Sequence, residues 1–263
     1  MDRVKRKASF WVYSFKLLTG SVTRSPLAWA LRVKQLDVVR LLLNKGASLD
    51  HASTLGWTPV FYCWPLLAPN QISMLQFLTL MAAESVLDFD LVDNYGWSAI
   101  HYAAAYGLDE DITKLVEIGA SLITAALPLK WNAIFHAVFY GNVGTFLVLL
   151  QHYDPMIIHT TDARGWTLLH IAASAGHDQI VRHLLTVGAD PYCLTLPFMS
   201  HMPESLFNKR CTPEEVAAAQ SPERRERYTK ALYDLGKISQ MTTEIQGTEI
   251  EDIFWDAAEE IEI

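Results

Sequence analysis

The sequence predicts an all-α solenoid of stacked helix-turn-helix units joined by short β-turns, and three observations predict it. Four tryptophans, Trp57, Trp97, Trp131 and Trp166, recur at spacings of 40, 34 and 35 residues. Each stands just before a Thr, Ser or Asn (Thr58, Ser98, Asn132, Thr167) that opens a short apolar stretch. A second apolar stretch then closes at a glycine, as in Gly46-Ala47-Ser48, Gly119-Ala120-Ser121 and Gly188-Ala189-Asp190. A fixed period of about 20–50 residues marks a repeat architecture. Such an array grows one unit at a time and has no single closed core.

Each element follows from local chemistry. Ser, Thr or Asn before the first helix offers an oxygen to backbone N–H groups that lack partners. Proline just inside the helix, as at Pro26, Pro59 and Pro213, gives up a donor that would be unpaired there anyway. The small pairs Ala103-Ala104 and Ala172-Ala173 let helices of adjacent repeats approach closely. Leu41-Leu42-Leu43 and its equivalents bury against the next unit, and Gly46, Gly119 and Gly188 end the second helix in a left-handed conformation.

The best copy reads Asp162-Ala163-Arg164-Gly165-Trp166-Thr167-Leu168-Leu169-His170-Ile171-Ala172-Ala173, and continues through Ile180-Val181 and Leu184-Leu185 to Gly188-Ala189-Asp190. It resembles the ankyrin repeat, whose signature is a Thr-Pro-Leu-His-x-Ala stretch on a period of about 33 residues. The resemblance covers roughly residues 22–220. Ankyrin repeats are predicted over 22–195, with a basic and apolar capping segment at 1–21. A worn sixth copy, Cys211-Thr212-Pro213-Glu214-Glu215-Val216-Ala217, and capping helices are predicted over 196–240. An acidic tail with a short amphipathic helix follows over 241–263. That tail is loosely similar to those of ankyrin proteins of filamentous fungi.

Two copies depart from the pattern. The second has Pro65 where its first helix should finish, which predicts a shortened helix and a bulging loop at 65–71. The fourth has Lys130 in place of the glycine before its tryptophan and ends at Gln151-His152-Tyr153 rather than Gly-Ala.

The net charge of −8 sits in the tail: residues 241–263 hold eight acids and no Lys or Arg, so residues 1–240 sum to zero. A neutral body with an acidic tail does not suit nucleic acid, which requires a basic face. No apolar run is long enough to span a bilayer. Cys63, Cys193 and Cys211 form neither a metal spacing nor an even disulfide framework, which suits an intracellular setting, cytoplasmic or nuclear. No phosphate loop, His-Glu-x-x-His, Cys-x-x-Cys or Gly-x-Ser-x-Gly motif is present. The expectation is no catalytic residue, no metal and no cofactor. His101 and His170 occupy the repeat's own histidine position, where the ring ties neighbouring turns.

The resemblance implies a protein-binding adaptor or scaffold, expected as a monomer, that contacts its partner on the concave side. Carried onto this chain, the slot before each cap points to that side, and it holds Trp57, Trp97, Trp131 and Trp166. Tyr95, Tyr102, Tyr106, Phe139, Tyr140 and Arg164 are predicted to join them, beside Leu129 and His136. Trp and Tyr are enriched at interface hot spots. The alternative for the tryptophans is that they cover the turns and stiffen the array. An alternative for the chain is a regulatory subunit or a fragment of a larger, enzyme-containing protein. The tail either packs back on the solenoid or binds a partner.

Overall fold

The computed structural model describes residues 25–33, 35–49, 51–63, 88–197 and 203–245. The predicted capping segment at 1–21, the loop at 65–71 and the tail beyond Ile245 lie outside the described residues.

Ser25 caps the first helix, its Oγ accepting from Ala28 N at 3.1 Å, with Pro26 at the position where no donor is required. That helix, α1, spans Pro26–Arg32, and α2 spans Leu36–Asn44. The second repeat opens with a 3-10 turn at Pro59–Cys63. Three complete pairs follow: α3 (Ala99–Tyr106) with α4 (Asp109–Glu117), α5 (Ala133–Tyr140) with α6 (Val143–His152), and α7 (Leu168–Ala175) with α8 (Asp178–Thr186). The C-terminal pair is α9 (Pro213–Gln220) and α10 (Pro222–Ile245). Among the described residues there is no named strand, only an isolated bridge between Ala126 and Trp131.

The inner helices stack in the order α3, α5, α7, α9, and the outer helices α4, α6, α8 and α10 form a second layer behind them. Ala103, Ala104, Ala137, Ala172 and Ala173 are almost wholly buried at the inner-helix contacts, where a larger side chain would hold the backbones apart. Ile112, Leu115, Phe146, Leu149, Ile180 and Leu184 fill the space between the two layers.

A second set of ties crosses the same joints. Side chains at the starts of the outer helices α6, α8 and α10 reach back to the open carbonyls of the preceding repeat. Asn142 Nδ2 donates to Ala104 O at 2.7 Å and to Ala105 O at 2.9 Å. His177 Nε2 meets Phe139 O at 3.0 Å, and Arg224 Nη1 donates to Ser174 O. Terminal carbonyls that a lone helix would leave to water are therefore met by the next unit.

The departures have local consequences. Gly46, Gly119 and Gly188 take φ of +80°, +91° and +94° at the close of the outer helices. The turn before each tryptophan also needs a left-handed residue, supplied by Gly56, Gly96 and Gly165 at φ +75°, +77° and +74°. Lys130 takes φ +57° in the fourth repeat, so an ordinary side chain is held where glycine stands elsewhere. His152 and His159, in a stretch that reads as loop, instead end α6 and the 3-10 turn Pro155–His159. That turn is started by Asp154, whose side chain accepts from Met156 N.

Lys130→Gly should raise stability by about 1 kcal/mol, the cost of a left-handed non-glycine residue. The midpoint of urea unfolding measures it, and a lowered midpoint would contradict the strain.

Candidate interaction surface

The turn of the third repeat is organised by one buried carboxylate. Asp93 Oδ1 accepts from the backbone N–H of Tyr95 at 2.8 Å and of Trp97 at 2.9 Å. Its other oxygen accepts from Tyr102 Oη at 2.7 Å and from the Trp57 indole Nε1 of the preceding repeat at 3.2 Å. Asp162 does the same in the fifth repeat. Its Oδ1 takes the amides of Arg164 and Trp166, and its Oδ2 takes Trp131 Nε1 of the preceding repeat at 2.9 Å. The Arg164 guanidinium closes on the same Oδ2 at 2.7 Å and lies 3.9 Å over the Trp166 ring. Ser53 plays the turn-forming part in the second repeat, with Oγ accepting from Leu55 N and Trp57 N.

The tryptophan slot is therefore mainly a joint between repeats. Trp57, Trp131 and Trp166 are 6%, 8% and 3% exposed, and Tyr102 and Arg164 are buried as well. These five, expected on an open concave face, lie inside the array: the Trp57 and Trp131 indoles span the gap to the next turn, Tyr102 bonds to Asp93, and Arg164 bonds to Asp162 and covers Trp166. Trp97, Tyr106, Phe139 and Tyr140 are half-buried, and Tyr95 is exposed. The acidic partners Asp93 and Asp162 were missed in the sequence, although an Asp four residues before Trp97 and Trp166 is a readable signal.

The fourth repeat breaks this scheme. Four residues before Trp131 stands Leu127 instead of Asp, so no carboxylate waits there for the Trp97 indole. Trp97 packs instead on His136, with ring centroids 4.1 Å apart, and on Tyr102 at 4.9 Å. His136 is one place later than the repeat's histidine. That shift leaves both of its ring nitrogens buried without hydrogen-bond partners, and Asn132 Oδ1 likewise. His136, predicted to face the partner side, is thus a core residue.

The regular histidines act as ties. His101 Nδ1 accepts from Ser98 N at 3.1 Å, which places its proton on Nε2, 3.0 Å from Thr124 O. His170 repeats this with Thr167 N and Cys211 O. The second tie joins the fifth repeat to the Cys211-Thr212-Pro213 segment, where Thr212 and Glu215 form a capping box. Burial lowers the pKa of His101 and of His170 to about 4. Burial, and next the nearby His101, pushes His136 well below its ordinary value.

Solvent meets a different row. Backbone bonds link successive turn tips: Leu127 N donates to Tyr95 O and Leu196 N to Arg164 O, both at 3.1 Å. The approach is tight enough at the last joint that a Cβ on Gly165 would lie 2.5 Å from Leu196 N. Tyr95, Leu127 and Leu196 stand on these tips, 47%, 64% and 50% exposed. Beside them, on the inner-helix side, lies a pocket of about 240 Å³ lined by Trp131, Phe139, Trp166, Arg164 and Arg224 among others. No group of three or more His, Cys, Asp or Glu among the described residues could hold a metal ion.

Comparison with known proteins agrees with this geometry. Residues 24–54 match the ankyrin repeat family, and residues 121–194 match its three-copy form. The chain is an ankyrin-repeat protein. It is 31% identical over 173 residues to human transient receptor potential cation channel subfamily A member 1, covering 63% of this chain and 15% of the channel. It is 28% identical over 171 residues to the B-cell lymphoma 3 protein homolog of Mus musculus, covering 65% of this chain and 37% of that protein. The chain thus spans well under half the length of these relatives. The crystal structure of the Bcl-3 ankyrin repeat domain superposes with a TM-score of 0.57 at 26% identity, over 78% of this chain and 81% of that one. A chain in the complex of the Bdellovibrio bacteriovorus predatory endopeptidase Bd0816 with immunity protein Bd3460 gives 0.61 at 18% identity, over 79% and 98%, a likeness of fold. Among the described residues, no helix of this ankyrin-repeat protein is long and apolar enough to cross a membrane.

Two measurements test the site's physical account. Asp93→Ala strands Trp57 Nε1, Tyr102 Oη and two turn amides, and should cost roughly 2–4 kcal/mol in urea unfolding. A loss under 1 kcal/mol would show that the carboxylate does not hold the joint. The histidines set a pH dependence. Unfolded, they titrate near 6.5, and folded, His101 and His170 titrate near 4, so between these values the unfolded chain binds more protons. Their contribution is present in full above about pH 6.5 and is lost as the pH falls toward 4, at up to ~1.4 kcal/mol per pH unit for each histidine. Urea midpoints at pH 7.5, 6 and 5 should fall in that order, with a shallower slope in His101→Gln/His170→Gln.

Proposed function

We propose that this chain is a protein-interaction adaptor that engages its partner through the turn tips and the adjoining inner-helix face. The observation that carries the reading is the exposed row of Tyr95, Leu127 and Leu196, held in line by backbone bonds between tips. Ankyrin repeats generally mediate protein–protein contact, and this scaffold is typically a binding module rather than a catalyst. The third and fifth tips are fixed by the carboxylates of Asp93 and Asp162, which take their turn amides, and the tips that carry Leu127 and Leu196 are bonded to these two. A preformed surface loses little freedom on binding, so more of the gross contact energy remains as affinity.

The half-buried Trp97, Tyr106, Phe139 and Tyr140 supply the adjoining part of the face. Trp57, Trp131, Trp166, Tyr102 and Arg164 act behind it, by fixing the repeats that present it. A partner segment laid across the tips would meet apolar anchors at the third, fourth and sixth tips, a pattern suited to an extended loop or a helix. A role as a regulatory subunit or as a fragment of a larger, enzyme-containing protein uses the same surface.

The tip variant Tyr95→Ser/Leu127→Ser/Leu196→Ser should lose the proteins that the unaltered chain captures from native extract. A control altered on the other side, Met156→Ser/Val187→Ser, should retain them. Equal circular dichroism and urea midpoints would show that all three chains are folded. Full capture by the tip variant would overturn the reading.

A further inference from the structure

We propose that the pocket between the fifth repeat and the C-terminal helices receives the chain's own acidic tail, with the ring of Phe254 as its anchor. The pocket's shape and charge specify the occupant. At about 240 Å³ it is smaller than the ~300–1,000 Å³ of small-molecule sites and suits a single large side chain. Its walls present the rings of Trp131, Phe139 and Trp166. Its lining carries the guanidiniums of Arg164 and Arg224 and no carboxylate. Arg164 is held by Asp162 at its back, while Arg224 bridges to Ser174 O and Gln220 Oε1 at the pocket's helical wall. Trp166 Nε1 is buried without an acceptor, which marks this end of the array as incomplete. The matching ligand is a peptide that couples an aromatic anchor to carboxylates.

Residues 246–263 have that chemistry. They hold seven acids and no Lys or Arg, and the acids flank the run Ile253-Phe254-Trp255. Reach also agrees. Arg224 lies near the start of α10, which continues to Ile245. Those 21 residues of helix measure ~32 Å at 1.5 Å each. Nine residues of extended chain after Ile245 span ~31 Å. A tail returning along α10 therefore brings Phe254 level with Arg224. A tether of this length holds the tail at an effective concentration of order millimolar, so modest intrinsic affinity is enough. With the tail seated, the C-terminal end of the concave side is covered, and a partner there must displace it. The tip row is outside this pocket, so tail docking and partner capture at the tips stand or fall separately.

The test uses the full chain. Hydrogen–deuterium exchange over residues 250–257 should be at least tenfold slower than the unstructured-peptide rate. The protection should disappear in Phe254→Ala/Trp255→Ala, whose changes lie beyond the repeats, and weaken in Arg224→Gln. A fluorescein-labelled peptide of residues 249–260 should bind the Phe254→Ala/Trp255→Ala chain, and the unaltered chain at least tenfold more weakly, with affinity falling as salt rises. Unprotected exchange in the unaltered chain overturns the proposal, even if the labelled peptide binds, because the pocket would then take acidic peptides only from another molecule. Equal peptide affinity for the two chains overturns it as well.

Discussion

The array depends on the buried aspartate that opens a turn. Asp93 and Asp162 each divide their two oxygens between their own repeat and the one before it. One oxygen collects turn amides, which fixes the β-turn; the other collects an indole N–H, which fixes where the previous repeat sits. A buried carboxylate is tolerable only when it is fully hydrogen-bonded. These are, and each bond to a charged acceptor is stronger than a neutral one. The shape of a turn and the spacing of two repeats are thereby set by one atom pair. This is why a solenoid without a closed core can still present a defined surface.

The fourth repeat shows what the array does when that device is missing. Leu127 replaces the aspartate, Lys130 replaces the turn glycine, and Phe135 takes the position of the tying histidine. Aromatic packing substitutes for the polar joint: Trp97, His136, Trp131 and Phe139 form a chain of ring contacts with centroids 4.1 to 5.4 Å apart. Such pairs add to stability through their ring quadrupoles as well as their area. The polar price is visible in the stranded nitrogens of His136 and the stranded Asn132 oxygen. The exposed Leu127 at this tip then contributes to the outer row instead of to the core.

The repeats were legible because their signals are local and recur: the cap before each inner helix, the glycine after each outer helix, and the alanine pair between. The position of the tryptophans was equally legible, but their depth was not. A periodic slot states which residues are equivalent, and equivalence does not distinguish a ring that tiles a surface from one that fills a joint. Trp57 and Trp131 are covered because Asp93 and Asp162 draw their N–H groups inward, and Trp166 because Arg164 lies over it. Tyr95 remained at the surface, and Leu127 and Leu196 joined it there only once the tips were bonded together.

The sequence by itself determined the repeat, its helices and its turn chemistry, since each rests on residues within a few positions of one another. It also determined that the negative charge is concentrated beyond residue 240. Only the tertiary structure decided which aromatic groups remain available. Bonds such as Trp131 to Asp162 and His170 to Cys211 join residues 31 and 41 positions apart, and burial follows from those distant partners. The pocket at the C-terminal end has the same origin: Trp131, Trp166 and Arg224 belong to three successive units, and no one of them encodes a cavity.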